Sequence, residues 1–299
     1  MEDLEKWREL SPEKIQQIIV NYRDLKMSLK DSGKDYGING LQVRNLLKVN
    51  NIPQRKNGKD SRKFKVNDQF FNTESPNMAY ILGFWAADGS VHSKENRMEL
   101  ELAVIDKEIL VQINEILENE RPIKEYECAN GYVKAKLLFW SKTIKEKFKE
   151  YGIVPNKTYS KDFSFPFKMS EEYVIDYIRG FFDGDGCVKK SSSLTFELNS
   201  LNKKFLEDIS SFLQKKYNIN TQLSITGLNN VYRLYCYGEE ARKVYQILYT
   251  PGALFLKRKK DKWIELLQWY KVPRDFCSSV EDIKRYAELV RKRITRNKR

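Results

Sequence analysis

Tyr80-Ile81-Leu82-Gly83-Phe84-Trp85-Ala86-Ala87-Asp88-Gly89-Ser90-Val91 and Tyr177-Ile178-Arg179-Gly180-Phe181-Phe182-Asp183-Gly184-Asp185-Gly186-Cys187-Val188 are two copies of one pattern. Both read Tyr-Ile-x-Gly-Phe-aromatic, then two residues, then Asp-Gly-x-Val. The pattern predicts an apolar helix that stops at an aspartate, followed by a glycine able to take the left-handed backbone that closes a helix. A single copy would be an ordinary structural helix. Asp88 and Asp185 stand 97 positions apart, however, and similar sequence follows each. The chain is therefore a tandem repeat, and a tandem repeat of this kind predicts a pseudo-twofold axis, like a symmetric dimer fused into one chain.

The segments after each aspartate support the repeat. In the first half, 91–94 and 97–104 read as a hairpin, and the alternation in Arg97-Met98-Glu99-Leu100-Glu101-Leu102 marks a strand buried on one face. A helix over 106–117, a second hairpin (124–127 with 132–140) and a helix over 142–151 follow. The second half repeats the order: helix 171–185, a hairpin through 194–199, helix 202–217, a hairpin of 222–225 with 232–237, and a helix over 239–248. Within this match Glu101-Leu102 aligns with Glu197-Leu198, and Asp106 with Asn202. The fold class is α+β, with each half αββαββα.

Upstream, Ser11-Pro12-Glu13 opens a helix whose apolar face runs Ile15, Ile18, Ile19, Tyr22. A second helical stretch over 25–36, a turn at Gly37-Ile38-Asn39-Gly40 and a third helix over 41–49 complete a small helical unit. Residues 24–55 resemble resolvase-type and invertase-type helix-turn-helix modules. That resemblance implies a DNA-binding third helix, with Gln42, Arg44 and Asn45 suited to base edges or phosphates and Lys48 on the same polar side. A plain helical packing module is the alternative. Arg55, Lys56, Lys59, Arg62, Lys63 and Lys65 form a basic linker that touches phosphate in the DNA-binding reading. The tail is also basic: from Lys284 to Arg299 there are eight basic residues against one acid, Glu288. The expected organisation is 1–52 helix-turn-helix, 53–75 basic linker, 76–167 first half, 168–272 second half and 273–299 tail.

Composition narrows the chemistry. A single histidine, His92, excludes a site with several histidine ligands and forces any Ser-His-Asp arrangement onto that one residue. Four scattered cysteines, Cys128, Cys187, Cys236 and Cys277, lack CxxC spacing and read as reduced thiols. No apolar run is long enough to span a bilayer, and the charged N-terminus lacks a signal-peptide core. A monomeric protein of the cell interior (cytoplasmic, with no membrane partner) is expected. The formal net charge of +13 points to a polyanionic partner.

The stretches 81–89 and 178–186 resemble the paired LAGLIDADG motifs of single-chain homing endonucleases, over roughly residues 76 to 270. The physics agrees: Gly83 and Gly180 inside helices cost about 1 kcal/mol each relative to alanine, which makes sense where two helix backbones meet. Ala86 departs from the pattern, standing where Asp183 is in the second copy. The resemblance implies the LAGLIDADG fold and a metal-dependent, site-specific double-stranded DNA endonuclease that leaves short 3′ overhangs. It implies Asp88 and Asp185, with the Gly89 and Gly186 backbones, as ligands for Mg2+ or Mn2+. Lys157 and Lys259 match the family's assisting lysines, and the Asp183/Ala86 difference implies unequal metal environments. The sheets would read a long, partly pseudo-palindromic site through Arg97, Glu99, Glu101, Tyr132, Lys134 and Lys136 in the first half. Ser193, Thr195, Glu197, Asn199, Arg233 and Tyr235, with Gln222, Ser224 and Thr226, would do so in the second. Members are intron-encoded or free-standing mobile elements. A non-catalytic DNA-binding regulator on the same scaffold and an intron maturase remain alternatives.

Overall fold

The computed structural model describes residues 6–55, 63–189, 193–226, 231–250 and 252–269. The chain divides into two compact units, Met1–Lys65 and Val66–Arg299. The expected tail over 273–299 lies outside the described residues, as do Lys56, Lys59 and Arg62 of the linker.

In the first unit, helices α1 (Pro12–Arg23), α2 (Leu29–Lys34) and α3 (Gly40–Val49) pack around Ile18, Ile19, Tyr22, Val43, Leu46 and Leu47, with Trp7 closing one side. The helix expected over 25–36 is shorter than the pattern suggested. Lys26 takes a left-handed φ of 54°, and Ser28 caps α2 by accepting from the Asp31 backbone. At α3, Asn39 accepts from the Leu41 and Gln42 amides while its own N–H donates to Gln42 Oε1 at 2.8 Å, a reciprocal capping box. Arg55 folds back onto this unit. Its amide donates to Tyr22 Oη at 2.9 Å, its guanidinium to Lys26 O and Met27 O, and the guanidinium lies over the Tyr22 ring.

The second unit contains the two halves. Helix α4 (Pro76–Asp88) leads to β1 (Gly89–Val91), β2 (Arg97–Ala103), α5 (Lys107–Ile116), β3 (Lys124–Glu127), β4 (Val133–Trp140) and α6 (Lys142–Glu150). Helix α7 (Val174–Asp185) leads to β5 (Gly186–Lys189), β6 (Thr195–Ser200), α8 (Lys203–Tyr217), β7 (Gln222–Thr226), β8 (Val231–Tyr237) and α9 (Gly238–Leu248). The sheets are antiparallel with orders β1-β2-β4-β3 and β5-β6-β8-β7. A further helix, α10 (Lys257–Trp269), follows, anchored by Trp263 stacked on Tyr245 and Tyr249. Residues 66–75, expected as linker, are packed here. The Asn67 amide bonds Leu117 O, Asp68 accepts from Ser141 Oγ, and Phe71 is buried against Phe148.

Strand register revises one detail of the repeat. Gly89 pairs with Leu100 and Gly186 with Leu198, so Glu99-Leu100, not Glu101-Leu102, is equivalent to Glu197-Leu198. The first half carries two extra residues before its helix cap, in the 3-10 turn Val104–Asp106. A slip of two leaves every side chain on its original face, so alternation alone cannot detect it.

The two motif helices form the spine. From Met78 to Ala87 every residue of α4 is buried, because one side of the helix meets α7 and the other meets its own sheet. A Cβ on Gly83 would lie 1.9 Å from Tyr177 O, and one on Gly180 2.0 Å from Tyr80 O. The backbones touch at reciprocal positions, as the pseudo-twofold requires.

Candidate active site

Asp88 and Asp185 are the last residues of α4 and α7. The glycines after them are not left-handed: Gly89 and Gly186 have φ of −75° and extended ψ. Glycine is needed for space instead, since a Cβ would meet the Trp85 ring at 2.1 Å and the Phe182 ring at 2.2 Å. Gly184 has the same effect across the axis, where a Cβ would sit 2.2 Å from Ala87 Cβ and 2.9 Å from Asp88 Oδ2. Gly184 therefore lets the helix ends converge, while Gly89 and Gly186 let the chain turn past an aromatic ring of its own helix.

Both carboxylates open to solvent at the bottom of this convergence, hemmed by protein on their other sides. Burial raises Asp88, partly offset by Lys259 and then Lys157. Burial and then the Asp88 charge push Asp185 up to about 6. Each also ends a helix, where the dipole disfavours negative charge. No hydrogen bond reaches either carboxylate among the described residues.

The lysines come from the segments behind the last helix of each half. Lys157 donates to Gly89 O. Lys259, on the first turn of α10, is buried and donates to Phe182 O, Gly184 O and Gly186 O at 2.6–2.7 Å. Each ammonium thus caps the carbonyl-rich end of its own half's motif helix. Burial lowers both, Lys259 to about 8. The electrostatics cross over: the carboxylate acting most on Lys157 is Asp185, and Asp88 acts on Lys259 more than Asp185 does. Gly89 and Gly186, expected to lend carbonyls to a metal, lend them to ammonium groups, whose positive charge competes with a cation for the same oxygen.

Asp183 does not join the two solvent-open carboxylates. It lies two residues before Asp185, which puts it on a different side of the helix. It is fully buried, accepting from Tyr80 Oη at 2.9 Å, Tyr249 Oη at 2.7 Å and the Leu256 amide at 2.6 Å. Its difference from Ala86 lies in this buried network and not at the two converging carboxylates.

A LAGLIDADG-like domain model matches residues 75–151 and again 172–249, both helix-strand units of the site. This chain belongs to the LAGLIDADG family. An uncharacterized protein of Methanocaldococcus jannaschii is 27% identical over 195 residues, 58% of this chain and 66% of the relative. The alpha subunit of the ribonucleoside-diphosphate reductase NrdEB of Bacillus subtilis is 26% identical over 153 residues, 46% of this chain. This chain spans only 14% of that relative's length. Among solved structures, the homing endonuclease I-WcaI bound to its DNA recognition sequence matches with TM-score 0.45 and 14% identity, over 71% of this chain and 96% of that one. The N-terminal LAGLIDADG domain of DUF199/WhiA matches with TM-score 0.41 and 17% identity, over 62% and 91%.

The two LAGLIDADG sheets present different outer faces. In the first, alternation places Arg97, Glu99, Glu101, Lys134 and Lys136 together as an ion-pair ladder. Arg97 to Glu99 is 2.9 Å, Lys136 bridges Glu99 and Glu101, and Lys134 meets Glu101 at 2.9 Å. Burial alone would raise Glu101, but hydrogen bonds from Tyr126, Lys136 and Lys134 outweigh it and bring it down to about 2. The second face is less charged. Arg233 lies over the Tyr235 ring, beside Tyr237, and Ser193 and Asn199 are half-buried. Thr195 and Glu197, expected outward and available, are buried, because β6 is flanked by β5 and β8 and pairs opposite Tyr237 and Tyr235. In the first unit, Arg44 is exposed and Asn45 half-exposed on α3, but Gln42 is buried in its capping box and is not available to read bases.

Sequence reasoning missed two links between the halves. Asp106, at the cap of α5, takes a forked hydrogen bond from Arg258, the neighbour of Lys259, with Nη2 at 2.9 Å. Asn202, its equivalent at the cap of α8, donates to Phe163 O at 2.7 Å, in the segment that follows Lys157. The alignment of Asp106 with Asn202 was the available signal; their reach into the opposite half was not legible.

Proposed function

We propose that this LAGLIDADG chain is a site-specific double-stranded DNA endonuclease requiring Mg2+ or Mn2+. The observation that carries the reading is the pair of solvent-open carboxylates, Asp88 and Asp185, both raised by burial, Asp185 further by the Asp88 charge, and flanked by Lys157 and Lys259. Two unbonded hard oxygen donors that repel each other fit a divalent cation, which removes both penalties. Asp88 and Asp185 would hold it, and when bound it supplies charge neutralisation at phosphate and an activated water. Lys157 and Lys259 keep positive charge beside the carboxylates and stabilise charge developing on the phosphate. Their carbonyl contacts hold them at fixed places, so little reorganisation is needed.

The sheet faces carry recognition in this reading: Arg97, Glu99, Glu101, Tyr132, Lys134 and Lys136 on one side, Ser193, Asn199, Arg233 and Tyr235 on the other. DNA engages the first ladder by exchanging internal ion pairs for contacts to bases and phosphates. The first unit is a helix-turn-helix whose Arg44, Asn45 and Lys48 extend the footprint, and its tethering raises affinity through effective concentration.

The test is selection of a cleavable site from a randomised duplex library in Mg2+ or Mn2+, repeated with Asp88→Asn and Asp185→Asn. Cleavage with short 3′ overhangs that is lost in both variants supports the proposal. Tight binding without cleavage assigns the chain to regulation, and preference for structured intron RNA assigns it to maturation.

A further inference from the structure

Asp176, Arg179 and Asp183 lie along one face of α7 at i, i+3 and i+7. At the equivalent places on α4 stand Ala79, Leu82 and Ala86, all apolar. This buried charged row holds the segment that delivers Lys259. Arg179, paired with Asp176 at 2.6 Å, donates from Nη1 to Leu248 O at 3.0 Å and from Nε to Leu254 O at 2.8 Å. Asp183 takes the Leu256 amide at 2.6 Å and the Tyr249 hydroxyl at 2.7 Å. Leu256 immediately precedes α10, and its carbonyl accepts the Lys259 and Lys260 amides that start the helix. The circuit closes when Lys259 Nζ returns to the carbonyls of Phe182, Gly184 and Gly186, on either side of Asp183.

The first half reaches the same end differently. Ile153 and Val154 are buried, the Ile153 amide bonds Phe148 O, and Gly152 turns with φ of +80°. Lys157 then donates to Gly89 O. Apolar packing and a turn do there what buried ionic groups do in the second half.

We propose that Asp183 is a positioning residue for Lys259, with Arg179 as its support, and that only the strand served by Lys259 depends on it. Both oxygens of the buried Asp183 carboxylate are hydrogen-bonded, and a buried polar group satisfied in this way specifies one arrangement more sharply than apolar contact does. Asp183 touches no substrate in this scheme. It fixes where α10 starts and therefore where the Lys259 ammonium sits. The strand-specific part of the inference rests on the nuclease reading; the positioning part does not.

The experiment uses the full chain with Asp183→Asn, which is isosteric, and Tyr249→Phe, which removes one donor to Asp183 and leaves the carboxylate in place. Hydrogen–deuterium exchange is followed in the peptide covering 252–263 and in that covering 152–160. The expected result is at least tenfold faster exchange in the first peptide in Asp183→Asn, a smaller rise in Tyr249→Phe, and no change in the second peptide. On a selected duplex labelled on each strand in turn, one strand is nicked about tenfold more slowly at saturating enzyme, with DNA affinity and the other strand unchanged. Adding Asp183→Asn to Lys259→Met slows that strand no further. Unchanged exchange over 252–263, or a rise equal in both peptides, overturns the positioning role. Equal slowing of both strands overturns the strand assignment. If the wild-type chain nicks neither strand, the nuclease reading and the strand assignment fail, and exchange alone decides the positioning role.

Discussion

The Tyr80 hydroxyl on α4 donates a 2.9 Å hydrogen bond to the Asp183 carboxylate on α7, joining the two motif helices through a buried polar contact. The symmetry-equivalent pair is Tyr177 and Ala86, and the buried Tyr177 hydroxyl has no hydrogen-bond partner among the described residues. The pseudo-twofold places a tyrosine on both helices but an acceptor on only one.

Equivalent substitutions should therefore behave unequally. Tyr80→Phe leaves a buried carboxylate short of a donor and should cost about 1–3 kcal/mol. Tyr177→Phe removes an unpartnered hydroxyl and should be neutral or stabilising. Chemical denaturation of both variants checks this; a larger loss in Tyr177→Phe than in Tyr80→Phe sinks the idea.

Gly83→Ala and Gly180→Ala place a methyl about 2 Å from a carbonyl oxygen of the facing helix, which only backbone movement can relieve. Each should cost about 3 kcal/mol. Gly131→Ala, at φ of +79° with open space around it, should cost only about 1 kcal/mol through backbone strain. Urea midpoints for the three variants give the comparison.

The spine and the order of elements were legible because glycine weakens an apolar helix, and a weakness kept at the same place in two copies marks close backbone contact. The sheets followed from period-two alternation. The two-residue slip between Glu101 and Glu99 did not, because both alignments keep the same faces. Asp88 and Asp185 could be chosen from the pattern, but Asp183 looked like a third member of their group. Only the helix's angular spacing and the hydroxyls of Tyr80 and Tyr249 set it apart. Gln42, Thr195 and Glu197 failed for a similar reason: residue type suggested availability, and neighbours distant in sequence, or a local cap, had already taken it.

Asp185 provides a pH signature. Its folded-state value of about 6 lies above the ordinary carboxylate value of about 3.9, so the folded chain holds this proton more tightly than the unfolded chain does. The ionised group costs stability above about pH 6, and the cost is relieved as pH falls toward the ordinary value. Asp185→Asn should raise Tm near neutral pH, with the gain vanishing toward about pH 4. A constant gain across that window contradicts the assignment.

Divalent cation should act through the same pair. Mg2+ or Mn2+ should raise Tm without any DNA present, more at about pH 7.5 than at about pH 5, where Asp185 is largely protonated. Asp88→Asn and Asp185→Asn should each reduce the shift. A shift of undiminished size in both variants would place the ion elsewhere.

On the first unit, Arg44→Ala and Lys48→Ala remove exposed positive charge from one helix. Each should weaken binding to a selected duplex and lower the slope of log affinity against log salt by about 1 if the residue meets phosphate. An unchanged slope assigns α3 to packing alone.

The forked bond from Arg258 to Asp106, and its counterpart from Asn202 to Phe163, give each half a hand on the other's lysine-bearing arm. This has a consequence for recombination between relatives. A chimera joining the first half of one member to the second half of another inherits two caps and two arms that have not met before. Such grafts should work when residues 106 and 258, and residues 202 and 163, travel as matched sets. Fusing at the boundary between halves separates both sets, so compatibility of parts, more than similarity of the motif helices, decides which hybrids assemble a complete site.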